Sequence, residues 1–328
     1  MATTSAALEA WYPLSIASVP EYLRGVGLWQ DGDLVSVSRI PSRHRVASIA
    51  FNQDASPKLF LKQFGNSIQE RQLLNTEIRW ILSDRVLSPS LVYLDEDWAV
   101  LVTRSAGLSC ANVIDSVDLE EGPSLTLALG DALRMTHSIK TAPSPTPPVF
   151  GWMSKTPRWL DLDFAQRRLV TAIRDERGIR SATEEIGVLW SSSTTLTHGD
   201  LKLENIALRQ TGFDFKPCFL DWEAAGGGLP DWDYAGIIQS LMAHSFRRGR
   251  ALDFTRAQMI QALLHGAPNG LDVVSQAVAM RLVQTAVEWQ RGQPSLSQLS
   301  LGIAQMAISL TTSPSALYDL LDSGLAAV

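Results

Sequence analysis

Asp200 and Asn205 stand five positions apart in the run Thr197-His198-Gly199-Asp200-Leu201-Lys202-Leu203-Glu204-Asn205-Ile206. A second acid, Asp221, ends the apolar stretch Cys218-Phe219-Leu220. An acid and an amide on one short loop suit attack of a hydroxyl on a phosphoryl group. The acid orients the hydroxyl and takes its proton, and the amide offers a neutral oxygen to a metal ion. Magnesium prefers hard oxygen ligands and shares them with phosphates, so the chemistry needs the second acid. Lys202 lies two positions after the first acid, where a cation would offset charge on the phosphoryl oxygens. The alternative for Lys202 is a solvated loop lysine.

A nucleotide needs cations of its own. Lys62 closes Leu59-Phe60-Leu61-Lys62 and is flanked by apolar residues, where an unpaired ammonium would be costly. Its natural partner is Glu77 in Asn75-Thr76-Glu77-Ile78-Arg79, with Glu70 as competitor. That pairing would hold the ammonium against nucleotide phosphates. The alternatives are edge-strand solubility for Lys62 and a solvated helix face for Glu77. The segment Ser38-Arg39-Ile40-Pro41-Ser42-Arg43-His44-Arg45 lies where a phosphate-covering loop is expected, but it has no glycine. Glycine-rich loops let backbone N–H groups approach phosphate, whereas this one would rely on Ser42, Arg43 and Arg45 side chains. A basic surface hairpin is the competing reading. The backbone around Val102-Thr103-Arg104 is the expected hydrogen-bonding edge for an adenine.

These residues need elements to hold them. Strands are expected over Leu34-Val35-Ser36-Val37, Val46 to Phe51, and Lys58 to Phe64, followed by a helix carrying Ile68, Leu73, Leu74, Ile78, Ile81 and Leu82. Leu91-Val92-Tyr93 and Trp98 to Thr103 read as two more strands around the turn Asp95-Glu96-Asp97. Beyond them Leu125, Leu129 and Leu133 mark a helix to His137. The proline-rich stretch from Thr141 to Pro148 cannot be helical and reads as a surface linker. Residues 159–190 read as helical, with Leu160, Phe164, Leu169 and Ile173 as candidate buried positions. After Gly236 the pattern is helical: Ile237 to Phe246, Arg256 to Leu264, Val273 to Trp289, and Leu299 to Leu310. Strands, one helix, strands and then mostly helices make an α+β chain. The expected division is an N-lobe over 1–104 and a C-lobe over 105–328.

Composition narrows the field. The 328 residues carry a net charge of -6, with 45% apolar and 19% charged residues. That acidic balance disfavours broad nucleic-acid or membrane-surface binding, which needs basic patches. Two distant cysteines, Cys110 and Cys218, suit a reducing cytoplasm rather than a disulfide framework. The first twenty residues show no signal-peptide pattern, and no apolar run is long enough to span a bilayer.

His198-Gly199-Asp200 with Asn205, followed by Leu220-Asp221-Trp222-Glu223, resembles the signature pair of the aminoglycoside phosphotransferase and choline kinase families. Gly226-Gly227-Gly228-Leu229-Pro230-Asp231-Trp232-Asp233 is similar to the glycine, proline and aspartate that follow there. Gly130-Asp131-Ala132-Leu133-Arg134-Met135-Thr136-His137 resembles the helix before their catalytic loop. The resemblance implies a bilobal protein-kinase-like fold, ATP and Mg2+ as cofactors, Asp200 as catalytic base, and Asn205 and Asp221 as metal ligands. It makes His198 and Asp233 supports of the loop. Only a short span separates Asp221 from Asp233, with no activation-segment close, so switching by phosphorylation is not expected.

Two acceptor classes follow. One is the hydroxyl of a small molecule: an amino alcohol, sugar or aminoglycoside-like compound, with Asp231 and Glu223 as candidate acids for a cationic one. The other is a Ser or Thr of a ribosomally made precursor peptide. The catalytic-loop lysine and the basic hairpin resemble kinase components of lanthipeptide-type maturation systems, which would require a separate lyase partner. A third reading is a non-catalytic kinase-like binding protein, against which Lys62, Asp200, Asn205 and Asp221 all speak.

Overall fold

The computed structural model describes residues 14–30, 35–40, 42, 44–52, 56–212, 214–250, 252–313 and 315–318. The chain divides into two compact units, one running to residue 84 and including 88–107, the other comprising 85–87 and 108 onward.

The first unit is an antiparallel sheet with a helix on each face. Its elements are α1 (Val19–Gly25), β1 (Val35–Ile40), β2 (Arg45–Phe51), β3 (Leu59–Gln63), α2 (Ile68–Ile81), β4 (Leu91–Asp95) and β5 (Val100–Arg104). The strands are ordered β1-β2-β3-β5-β4. Alternation along the strands sorts side chains to two faces. Leu59 and Leu61 of β3 and Val100 and Val102 of β5 join one core with Val19, Tyr22 and Leu23 of α1. Leu101 faces the other way, packing with Phe64 and with Leu74 and Ile81 of α2. Lys62 pairs with Leu101 across the β3–β5 ladder, so it falls on the α2 face. Helix α2 starts cleanly because the Ser67 side chain accepts from Glu70 N–H.

The second unit begins with β6 (Leu108–Ser109), α3 (Cys110–Val113), α4 (Glu121–His137) and α5 (Pro148–Trp152). The proline-rich stretch before α5 is not a loose linker. Thr141 N–H donates to Thr194 O, and the Ala142 carbonyl and Ser144 N–H bond Gly227, which straps it to the body. Helix α6 (Phe164–Ile173) opens on a capping box between Asp163 and Gln166. Helix α7 (Arg177–Ser192) follows after a break, so residues 159–190 are not one helix. The break corrects the expected core: Leu169 and Ile173 are buried, but Leu160 is 97% and Phe164 73% exposed. Both lie at or before the α6 start, where the assumed helical period does not hold.

Next come β7 (Leu196–Thr197), β8 (Ile206–Thr211), β9 (Asp214–Phe219) and β10 (Gly226–Gly227). β6, β8 and β9 form one small sheet, and β7 pairs with β10. The chain continues through α8 (Asp231–Arg247), α9 (Phe254–Gly266), α10 (Leu271–Gln290) and α11 (Gln298–Thr312). Helix α10 is buried nearly all round and packs against α7, α8 and α11, so it is the centre of this unit. Among the described residues no helix is long and apolar enough to cross a membrane.

Candidate active site

The β8–β9 hairpin sets the spacing of the second unit's polar cluster. Ile206 pairs with Phe219 in its register. Asn205, just before β8, and Leu220, just after β9, therefore meet, and Leu220 N–H donates to the Asn205 carbonyl at 2.8 Å. Asp221 is the next residue. It adopts φ 67° and ψ 54°, a left-handed conformation that aspartate tolerates better than most residues.

Asp200 lies on the loop between β7 and the hairpin, with a half-buried side chain. Lys202 Nζ donates to Oδ2 at 2.9 Å, and Arg281 Nη1, from α10, donates to Oδ1 at 3.2 Å. The Asn205 amide N–H donates to the Asp200 backbone carbonyl at 2.9 Å and contacts Oδ2 at 3.4 Å. That leaves the amide oxygen, a hard neutral ligand, on the opposite side of the Asn205 head group. Burial alone would raise the Asp200 pKa. Lys202 and Arg281 outweigh it and hold the carboxyl at about 2. Lys202 loses some of its charge preference to burial, but Asp200 more than restores it, so its pKa is raised.

Much of the loop backbone is held by side chains from the helices behind it, as buried peptide groups require. Buried Asp233 of α8 accepts from His198 N–H at 2.8 Å and from Gly199 N–H at 3.1 Å. Trp232 Nε1–H donates to the Gly199 carbonyl at 2.9 Å, and Arg281 Nη2 donates to the Leu201 carbonyl at 2.9 Å. Leu203 N–H donates to Ser240 Oγ at 3.2 Å. Gly199 has φ +82°, and a Cβ there would lie 2.5 Å from the Ala224 carbonyl oxygen, so both conformation and space require glycine. The His198 ring lies 2.7 Å from the Leu220 carbonyl through Nε2. A carbonyl only accepts, so Nε2 carries the proton. Nδ1 is then a buried lone pair, and it has no hydrogen-bond partner. Desolvation accordingly lowers the His198 pKa despite the nearby carboxylates.

In the first unit Lys62 Nζ lies 2.6 Å from Glu77 Oε2, and both are buried. Strand parity puts Lys62 on the α2 face, and Glu77 is one turn beyond Leu74, which packs on that face. Glu70 is committed elsewhere, 3.1 Å from His44 Nδ1. His44, at the hairpin tip, is 6% exposed and packs against Phe64, the rings tilted by 43° with centroids 4.4 Å apart. Ser42 is exposed, and its hydroxyl accepts from His44 N–H at 3.3 Å. Arg45 is exposed at the start of β2, opposite Gln63. Arg43 lies outside the described residues.

Two expected positions differ. Val102 is not on an open edge: β5 lies between β3 and β4, Val102 pairs with Leu61 and Tyr93, and its side chain is fully buried. Arg104 N–H and Ser105 N–H are also engaged, by Ser90 O and Lys58 O. Asp231 is not an acid facing a substrate. It is fully buried, accepts from Asn269 N–H at 3.2 Å and bonds the Asn269 amide, and burial raises its pKa.

Sequence reading missed Arg281, Trp232 and Ser240. Arg281 had a visible signal, a lone charge in the apolar run Val278-Ala279-Met280-Arg281-Leu282-Val283.

The model of the phosphotransferase enzyme family (APH) matches residues 53–270, more than half of the chain. The chain belongs to that family. No curated protein matches this phosphotransferase by sequence. Among solved structures it is similar to a choline/ethanolamine kinase family protein from Mesorhizobium loti, with 17% identity, TM-score 0.56 and 98% of each chain covered. It is also similar to choline kinase LicA from Streptococcus pneumoniae, with 15% identity, TM-score 0.60, and 90% of this chain and 98% of that one covered. A third is a thermostable mutant of aminoglycoside phosphotransferase APH(4)-Ia in complex with ADP and hygromycin B, with 12% identity, TM-score 0.55, and 92% and 98% covered. At these identities the likeness is one of fold: an antiparallel sheet region followed by a mainly helical part, the α+β kinase-like arrangement.

Proposed function

We propose that this phosphotransferase is an ATP- and Mg2+-dependent kinase that moves the γ-phosphoryl group to a hydroxyl of a small molecule. The observation that carries the reading is the Asp200 carboxylate, gripped by Lys202 and beside Asn205, whose backbone carbonyl is bonded by Leu220, the residue before Asp221. The structures of similar fold act on small molecules by name, a choline kinase and a hygromycin-binding aminoglycoside kinase among them, and one holds ADP. An amino alcohol, sugar or aminoglycoside-like acceptor is the class they favour.

The donor set fits a magnesium ion. Asn205 offers an amide oxygen whose direction is fixed by its own N–H bonds to Asp200, and Asp221 offers a carboxylate. Held there, the ion would neutralise charge on the phosphate oxygens. Lys62, steadied by Glu77, would meet the nucleotide phosphates. Asp200 would accept a hydrogen bond from the acceptor hydroxyl and fix its line of attack. A carboxyl held at about 2 is a weak base, so its main work is orientation, with the proton passing late. Lys202 would move from sharing Asp200 to sharing the transferring phosphoryl oxygens.

MgATP consumption by the wild type, D200N and D221N tests the reading, with acceptor panels of amino alcohols, sugars and Ser/Thr peptides read by mass spectrometry. Each variant is expected to lose about 100-fold or more in kcat. A phosphoryl gain of ~80 Da is expected on the small-molecule panel. Three equal rates would refute the catalytic assignment, and gain on the peptides alone would refute the acceptor class.

A further inference from the structure

We infer that Arg281 of α10 is a positioning residue for the reaction: it fixes the orientation of the Asp200 carboxylate from the helical core. The inference rests on the kinase reading for its consequence, but on separate geometry for the contact.

Arg281 is 3% exposed, deep in the helix that packs against α7, α8 and α11. A guanidinium is costly there unless its donors are used. Its two terminal nitrogens serve two successive loop residues, Nη1 to Asp200 Oδ1 at 3.2 Å and Nη2 to the Leu201 carbonyl at 2.9 Å. The ring of Trp232, which itself bonds the Gly199 carbonyl, lies 5.4 Å from the Arg281 guanidinium carbon. The indole thus lies beside the guanidinium that grips the loop, and both side chains bond the same stretch of backbone.

The consequence is geometric. Lys202 takes Oδ2 and Arg281 takes Oδ1, so each carboxylate oxygen has its own cation. Rotation about χ2 would break both contacts, and the lone pairs left for an incoming hydroxyl point in one fixed direction. Lys202 is a mobile point charge, 35% exposed along its side chain, and is the group placed to leave for phosphate. Arg281 cannot leave, because its second nitrogen is tied to the backbone. It keeps the carboxylate aimed when Lys202 turns away. Lysine at 281 could not reproduce this, since one ammonium cannot present two parallel N–H bonds.

The test uses full-length protein and MgATP with water as acceptor, so no acceptor needs to be known. R281M is expected to lower kcat by about 10- to 100-fold, the scale of a small misplacement of a reacting group. Its KM for MgATP should stay within about twofold, which damage to the nucleotide site would not allow. R281K is expected to fall in between, and guanidinium ions should partly restore R281A. In a D200N background, R281M should add almost nothing. A wild-type kcat in R281M, a change confined to KM, or an undiminished loss in the D200N background would each overturn the inference. If R281M does not fold, the same comparison is made with R281K, where a wild-type kcat overturns it.

Failure of the kinase reading looks different: wild type consumes no MgATP, or D200N consumes it as fast. In that event a urea-unfolding cycle of D200N, R281K and the double variant still decides the contact. Coupling of about fivefold or more in the unfolding constant supports it, and simple additivity overturns it.

Discussion

The Asp233→Asn substitution changes a single atom type and so tests the loop support directly. Asp233 is fully buried. Its Oδ2 accepts from His198 N–H at 2.8 Å and from the His137 ring at 3.0 Å, and its Oδ1 accepts from Gly199 N–H at 3.1 Å. Asparagine has one acceptor oxygen. With that oxygen in the Oδ2 place, its NH2 group confronts Gly199 N–H and leaves a buried donor unsatisfied, at about 1–3 kcal/mol. The two retained bonds lose their charged partner, about 1 kcal/mol each. The sum is about 3–5 kcal/mol; the flipped amide strands the His198 N–H instead, while the His137 ring can change tautomer and accept. With a urea m-value of about 3 kcal/mol/M the midpoint should fall by about 1–1.7 M. Emission of Trp190, Trp222 and Trp232, all at most 1% exposed, reports this unit. D131N is the control: Asp131 is exposed and pairs with Arg134 in solvent, so its loss should cost about 0–1 kcal/mol. A D233N midpoint within about 0.3 M of wild type would refute the argument that this carboxylate holds the loop.

Three further outcomes follow from named contacts. Alanine for glycine inside a helix usually stabilises by about 1 kcal/mol; G236A should instead destabilise by at least about 2 kcal/mol and depress ATP turnover, because its Cβ would sit 2.0 Å from the Leu201 carbonyl oxygen, and a stabilised variant would show that the loop yields freely. His198 has a lowered pKa in the fold and an ordinary value near 6.5 in the unfolded chain, so unfolding takes up a proton as pH drops below about 6.5 and stability is lost there; H198N should flatten that part of the urea-midpoint profile between pH 7 and 5, and an unchanged slope would contradict it. L160S should leave thermal stability within about 0.5 kcal/mol, whereas L169A should cost about 2–5 kcal/mol, and equal losses would contradict their opposite exposures.

The fold was legible where periodicity was strong and local. Strands β2, β3 and β5 and helices α2, α4 and α9 to α11 fall within a few residues of their expected places, and α8 ends where expected but starts six residues earlier, at Asp231. The Lys62–Glu77 pair could be anticipated because strand parity and a helix turn are both local rules, and α2 follows β3 directly. Leu160 and Phe164 failed because a helical period was carried across a helix start. The glycine-free hairpin tip conceals an anchor no motif announces: His44, buried against Phe64 and paired with Glu70. Val102 failed for a topological reason. The turn Asp95-Glu96-Asp97 already implied that β4 pairs with β5, but nothing local says that β3 takes the other edge of β5.

The loop that carries Asp200 shows why its immediate sequence could name the candidates but not their supports. Between β7 and the hairpin Asn205 answers the Asp200 and Lys202 carbonyls from within the loop. Other peptide groups are answered by Asp233, Trp232 and Ser240 on α8 and by Arg281 on α10, which are 33 to 80 residues away in sequence. Helix α8 can come so close because Gly236 presents no side chain to Leu201. The same helix supplies the acid for two loop N–H groups and the indole for a loop carbonyl, so moving α8 would disturb both ends of the loop together. Helix α10 enters the arrangement through a single residue, yet that residue reaches both the Asp200 side chain and the peptide that follows it. The position of the carboxylate is thus a property of how α8 and α10 pack, and the apolar surface between those helices aims the group at its task.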